Sequence, residues 1–184
     1  MVRQLRIWAI TVGVLTFLGV PAGLLWAWIS PRAGYVIVEH KAYLADPESQ
    51  ALIGTDARFA LIGVTLGVLC AVVAYLRAGR RNEVPLALGL AMGGLLASLT
   101  AWALGHRFGL SHFEQVTATG ADGARVQAPP SLGAHGVVLL WPLLAVAVFG
   151  LLESLDLARR TPAPRFEPPV PAFEHEGGSP EAGR

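Results

Sequence analysis

The sequence predicts an all-α membrane protein, a four-transmembrane-helix bundle with small β-hairpin-like loops on its extracytoplasmic side. Four apolar stretches, Ile7 to Ile29, Phe59 to Leu76, Val84 to Gly105 and Gly136 to Leu152, contain no Asp, Glu, Lys, Arg or His. Each reaches the ~17 to 25 residues that a helix needs to cross a bilayer core. The composition agrees, because 53% of the 184 residues are hydrophobic and 15% are charged, with a mean hydropathy of +0.52. Soluble domains carry about 25% charged residues. A third observation, the distribution of arginine, sets the topology.

Arg3 and Arg6 precede the first span, Arg77, Arg80 and Arg81 separate the second from the third, and Arg159, Arg160 and Arg165 follow the fourth. Short segments rich in arginine stay on the cytoplasmic side. All three clusters fall on one side of a four-span chain, so both termini are expected in the cytoplasm and the protein in the plasma (inner) membrane. The opposite loops carry Arg32, Lys41, Arg58, Arg107 and Arg125, but dispersed among Glu39, Asp46, Glu48, Asp56, Glu114 and Asp122. A net charge of +1 gives no reason to expect a nucleic-acid partner.

The first span begins after a basic segment and ends near the small residues Ala27 and Ser30, a pattern shared with signal peptides. Its apolar region exceeds the ~7 to 15 residues of a signal-peptide core, and Pro31 follows the one suitable small-residue site, so an uncleaved anchor is expected. Trp8 at the inner end, and Trp26 and Trp28 at the outer end, read as markers of the headgroup interface. Pro21 in the first span and Pro142 in the fourth each remove a backbone donor, which predicts a kink at both, whereas Pro85 sits in a first turn. Cys70, the single cysteine, stands inside the second span, where it reads as a packing residue and not as a metal or redox group.

Glycine is the patterned residue type within the spans. Gly19 and Gly23, Gly63 and Gly67, and Gly89 and Gly93 form three small-xxx-small faces, the last extended by Gly94 and Ala97. In lipid, such faces permit the close backbone approach that holds helices together. Thr16, Thr65, Ser98 and Thr100 are placed to add interhelical hydrogen bonds. Packing within the bundle is the first reading, and self-association or contact with a helix of another protein is the second.

In the first outer loop, Tyr35 to Val38 reads as a strand, with a second through Ala42 to Leu44. Asp46 is then suited to cap a short helical turn opening at Pro47, ending by Gly54, and Thr55 or Asp56 to cap the second span. In the second loop, Glu114 to Thr119 alternates as a strand, Gly120 to Gly123 reads as a turn, and Ala124 to Ala128 returns before Pro129 and Pro130. Two hairpins are expected, their edges pairing into a small sheet over the bundle. Tyr35, Tyr43, Asp46, Pro47 and Asp56 are the candidate partner-binding residues of that cap.

His40, His106, His112 and His135 are scattered along the outer loops without the spacing of a metal site. An enzyme would require His112, Glu114 and Asp56 to converge, and no catalytic, cofactor or metal residue is assigned. Residues 159–184, rich in proline, glycine and glutamate, are expected to form a disordered cytoplasmic tail, with Arg159, Arg160 and Arg165 near anionic headgroups.

The run Tyr43-Leu44-Ala45-Asp46-Pro47-Glu48, continuing to Asp56-Ala57-Arg58-Phe59-Ala60-Leu61-Ile62-Gly63, resembles an uncharacterised family of small four-span membrane proteins from actinobacteria. Leu140-Trp141-Pro142-Leu143 adds to the likeness, which covers approximately residues 2–158. The resemblance implies a fold and no reaction or ligand. The expected role is a non-catalytic accessory or structural subunit of a membrane assembly, in contact with membrane lipids and a protein partner. The alternative is a small transporter or channel, or a lipid-binding membrane protein, although the spans lack ionisable groups for cargo.

Overall fold

The computed structural model describes residues 2–39, 41–46, 50–77 and 83–160. Helix α1 (Val2–Ile29) leads through strands β1 (Gly34–Val38) and β2 (Lys41–Leu44) to α2 (Ala51–Arg77). Then follow α3 (Glu83–Arg107), the short α4 (Leu110–Thr119), β3 (Arg125–Gln127), a 3₁₀ turn (His135–Leu139) and α5 (Leu140–Arg160). Among the described residues, four helical segments are long and apolar enough to cross a membrane, the fourth being the 3₁₀ turn together with α5, and each contains one of the apolar stretches.

The glycine faces explain how they pack. A Cβ on Gly19 would strike the Ala97 carbonyl, and one on Gly23 would meet Ala101, so α1 and α3 touch backbone to backbone. Gly89 lies against Thr11 and Gly93 against Leu15 in the same interface. Gly63 and Gly67 of α2 face Trp141 and Ala145 of α5. Both pairs are parallel and share one constant offset in sequence. The hairpin made by α1 and α2 is therefore stacked on that made by α3 and α5, in register along its length. A further contact joins Gly94 of α3 to Pro142 of α5, 3.0 Å from a Cβ placed there. Leu15, Trp26, Phe59, Leu90, Trp141 and Phe149 form the centre of the core.

Several expectations are corrected. Pro142 is the third residue of α5, directly after the 3₁₀ turn, so it occupies a first turn that needs no N–H and no interior kink. Pro21 does lie in the interior of α1, as its place in the first apolar stretch implies. Trp26 is fully buried and is not an interface marker, while Trp28 is 83% exposed.

The first outer loop forms the expected hairpin, Tyr35 opposite Leu44 and Val38 opposite Lys41. The second does not. Glu114 to Thr119 belongs to helix α4, because Leu110, Phe113 and Thr117 recur at helical spacing and Gly109, at φ +88°, turns the chain between α3 and α4. Only β3 remains as a strand there, and it pairs antiparallel with β1, so the sheet order is β2-β1-β3. The 159–184 tail, apart from residues 159 and 160 at the end of α5, lies outside the described residues, as do His40, Pro47, Glu48, Arg80 and Arg81.

Candidate functional site: the sheet cap and the α1–α2 groove

The sheet sits at the end of the bundle opposite the start of α1 and the end of α5, and four side chains near the helix ends fix it there. Helix α2 begins at Ala51, so Thr55 and Asp56 lie within its second turn and cap nothing at its start. Their polar atoms turn outward to the loops instead. The Thr55 hydroxyl lies 2.8 Å from the Ala51 carbonyl and 3.1 Å from that of Pro31, sharing one proton between them. The Asp56 carboxylate accepts the backbone N–H groups of Gly133 at 3.0 Å and Ala134 at 2.9 Å, one on each oxygen. Those donors sit just before the 3₁₀ turn, where unpaired N–H groups favour an anion. The Trp26 indole N–H donates to the Thr55 carbonyl at 3.1 Å. At α3's end, His106 Nδ1–H donates to the Pro130 carbonyl at 3.0 Å.

Asp56 is thus a clamp between α2 and the entry to α5. Replacing it with alanine strands two donors, and hydrogen bonds to a charged group contribute about 1.5 to 3 kcal/mol. We expect Asp56→Ala to lower stability by about that much and Asp56→Asn, with one acceptor oxygen, by less. Hydrogen exchange should accelerate at Gly133 and Ala134 while the α1–α3 contact stays protected.

The two faces of the sheet differ. Tyr35, Ile37, Ala42, Leu44 and Val126 share the inner face, where Ile37 and Val126 are buried and Tyr35 packs edge-on against Phe113 of α4, ring centres 5.7 Å apart. The outer face presents Val38, Lys41, Tyr43, Arg125 and Gln127, all exposed. At the hairpin tip, Glu39 adopts φ +51°, and its N–H is taken up by Asp122 at 2.8 Å. The five candidate cap residues therefore do not form one patch: Tyr43 is on the outer face, Tyr35 on the inner, Asp56 is the clamp, Asp46 is exposed beyond β2, and Pro47 lies outside the described residues.

No group of three His, Cys, Asp or Glu side chains suited to a metal occurs among the described residues, so His112, Glu114 and Asp56 do not form a metal site. His112 is exposed, and His135 stacks edge-on against Trp102 at 6.1 Å. Thr16 and Thr65 bond back to the carbonyls of Val12 and Leu61 in their own helices, and the buried Ser98 hydroxyl has no partner among the described residues. Cys70 lies beside Trp141, whose buried indole N–H finds no acceptor in good geometry among the described residues.

A feature that no motif announced lies between α1 and α2. At the sheet end these helices close on one another through Trp26 and Phe59, ring centres 5.1 Å apart. Toward the termini they part, leaving a lateral groove of about 560 Å³. It runs from Ile7 to Leu18 on α1 and from Leu66 to Arg77 on α2, with Leu90 of α3 behind. The signal was present in the spacing, since both walls repeat residues at i, i+3, i+4, i+7 and i+8 that are apolar apart from Thr11. In an apolar span such a stripe does not stand out from its surroundings. The terminal end is not uniformly basic, for Glu153 lies within electrostatic reach of Glu83 and Asp156, on the α3 and α5 side.

Four helices of membrane-crossing length under a three-stranded cap make this chain a candidate multi-pass membrane protein. No family model, curated protein or solved structure matches it.

Proposed function

We propose that the protein is a non-catalytic accessory subunit of a plasma-membrane assembly, with its termini in the cytoplasm and its sheet cap outside. The observation that carries this reading is the division of labour between surfaces. The glycine faces are occupied by the protein's own helices, while the outer face of the sheet is open and held in place by the clamps beneath it. Positive-inside topology places Arg3, Arg6, Arg77 and Arg159 in the cytoplasm and so turns the sheet outward. Lys41 and Arg125 flank Val38 and Tyr43 on that face, which suits an acidic segment of a neighbouring membrane protein, seated by an apolar centre and steered by charge.

The test is affinity capture through a tag on the C-terminal tail in mild detergent, with a photo-crosslinking residue replacing Tyr43. A stoichiometric partner, crosslinked at an acidic extracytoplasmic segment, supports the role. The double variant Lys41→Glu, Arg125→Glu should then lose the partner by at least about tenfold while retaining its melting temperature. Recovery of a clean monomer or homo-oligomer, or a partner indifferent to the charge reversal, overturns it.

A further inference from the structure

We propose that the groove between α1 and α2 binds one acyl chain of an anionic phospholipid, whose phosphate is held by Arg77. The site rests on the reading that the helices span a membrane and adds a ligand to it.

Length selects the occupant first. Each wall, Ile7 to Leu18 and Leu66 to Arg77, is roughly 16 Å long at ~1.5 Å per residue. That is about half of the ~30 Å hydrocarbon core, the depth of one leaflet. A lipid chain belongs to one leaflet, whereas a helix from a partner or a second copy crosses both.

Shape is compatible with that occupant, since a groove of about 560 Å³ open along its side can be followed by a slender, flexible chain.

Charge fixes the headgroup. The walls are apolar, since the Thr11 hydroxyl is already bonded to the Ile7 carbonyl. Arg77 is the charged residue among those lining the groove, and it stands at the open, terminal end. Its guanidinium offers the paired donors that match a phosphate. Glu83, Glu153 and Asp156 occupy the α3 and α5 side of the same end and repel an anionic headgroup toward α1 and α2. Leu15 and Leu90, 4% and 1% exposed, give the chain a preformed floor that an ordinary lipid-facing helix surface lacks.

The experiment uses the full chain, reconstituted in bilayers of equal phosphatidylglycerol and phosphatidylcholine, released into mild detergent and weighed by native mass spectrometry. One retained phosphatidylglycerol per chain is expected. Val73→Trp, which fills the groove from its half-exposed rim, should abolish retention, and Ile10→Trp on the facing wall serves if the first variant does not accumulate. Arg77→Gln should keep a lipid but lower the preference for phosphatidylglycerol by about tenfold, the worth of a charge-assisted hydrogen bond. Leu61→Trp, exposed on α2 outside the groove, should change nothing. Retention that survives both filling variants, a headgroup preference that survives Arg77→Gln, a wild-type chain free of lipid, or a dimer that fills the groove each overturns the proposal. Alkaline carbonate extraction separates the two readings. A chain that resists extraction yet holds no lipid sinks the site alone, and a chain that extracts sinks the spanning reading.

Discussion

Replacing Trp26 with alanine should destabilise the bundle by about 3 to 5 kcal/mol, the range for emptying a buried tryptophan site. Trp26 is fully buried and joins three helices at once. Its ring meets Phe59 of α2 at 79°, its N–H reaches the Thr55 carbonyl, and its ring lies against Gly105 of α3, where a Cβ would collide with it. Alanine leaves a void between α1 and α2 at the one end where they meet, and the lateral groove then extends toward the sheet. Trp26→Phe keeps an aromatic ring and loses the indole donor, so a cost near 1 kcal/mol is expected. Thermal unfolding in detergent, followed by circular dichroism, separates the two variants. An alanine variant that melts within a degree or two of wild type would mean that α1 and α2 are held together elsewhere.

Trp26 also shows where sequence reading stops. Tryptophan at a span end is read as an interface marker because its ring is amphipathic, and Trp28 fits that reading while Trp26 does not. The difference is the face of the helix on which each stands, and within a span that is apolar all round nothing in the pattern marks the inner face. The spans themselves were legible because length and the absence of charge are one-dimensional properties. The glycine faces were legible as close-approach surfaces, yet the pairing of α1 with α3 and of α2 with α5 was not, since three similar faces admit several pairings.

The cap was partly legible for a related reason. The run Tyr35 to Val38 followed by Ala42 to Leu44 has no competing helical pattern, and it forms a hairpin. Glu114 to Thr119 alternates over six residues but belongs to a longer helical pattern that starts at Leu110, and the packing of Phe113 on Tyr35 favours the helix. Thr55 and Asp56 look like caps because short polar side chains before an apolar run usually are. Here the helix begins earlier and the same groups serve neighbouring loops, a use that depends on contacts distant in sequence. The groove left only a periodic stripe that an apolar span conceals, because it comes from the splay of two helices and not from any residue type.

The same geometry makes Gly23→Ile the most damaging change expected in the α1–α3 interface. A single Cβ at Gly23 would already press on the Ala101 backbone, which cannot move aside without displacing α3. Overpacking of this kind costs about 1 to 3 kcal/mol and sometimes more, and in lipid no hydrophobic gain offsets it because the separated helices are equally well solvated. Gly13→Ile supplies the control, since nothing lies within 4 Å of a Cβ there and the helix gains a residue with better propensity than glycine. The expected result is a large fall in thermal and detergent resistance for Gly23→Ile and none for Gly13→Ile. The pair also bears on how the protein meets its partners. If Gly23→Ile left the isolated protein stable but removed a copurifying protein, the glycine face would be intermolecular, and the sheet would lose its place as the docking surface. If it melts the bundle itself, the face is spent on the fold, and partner contact is left to the surfaces that the fold leaves open.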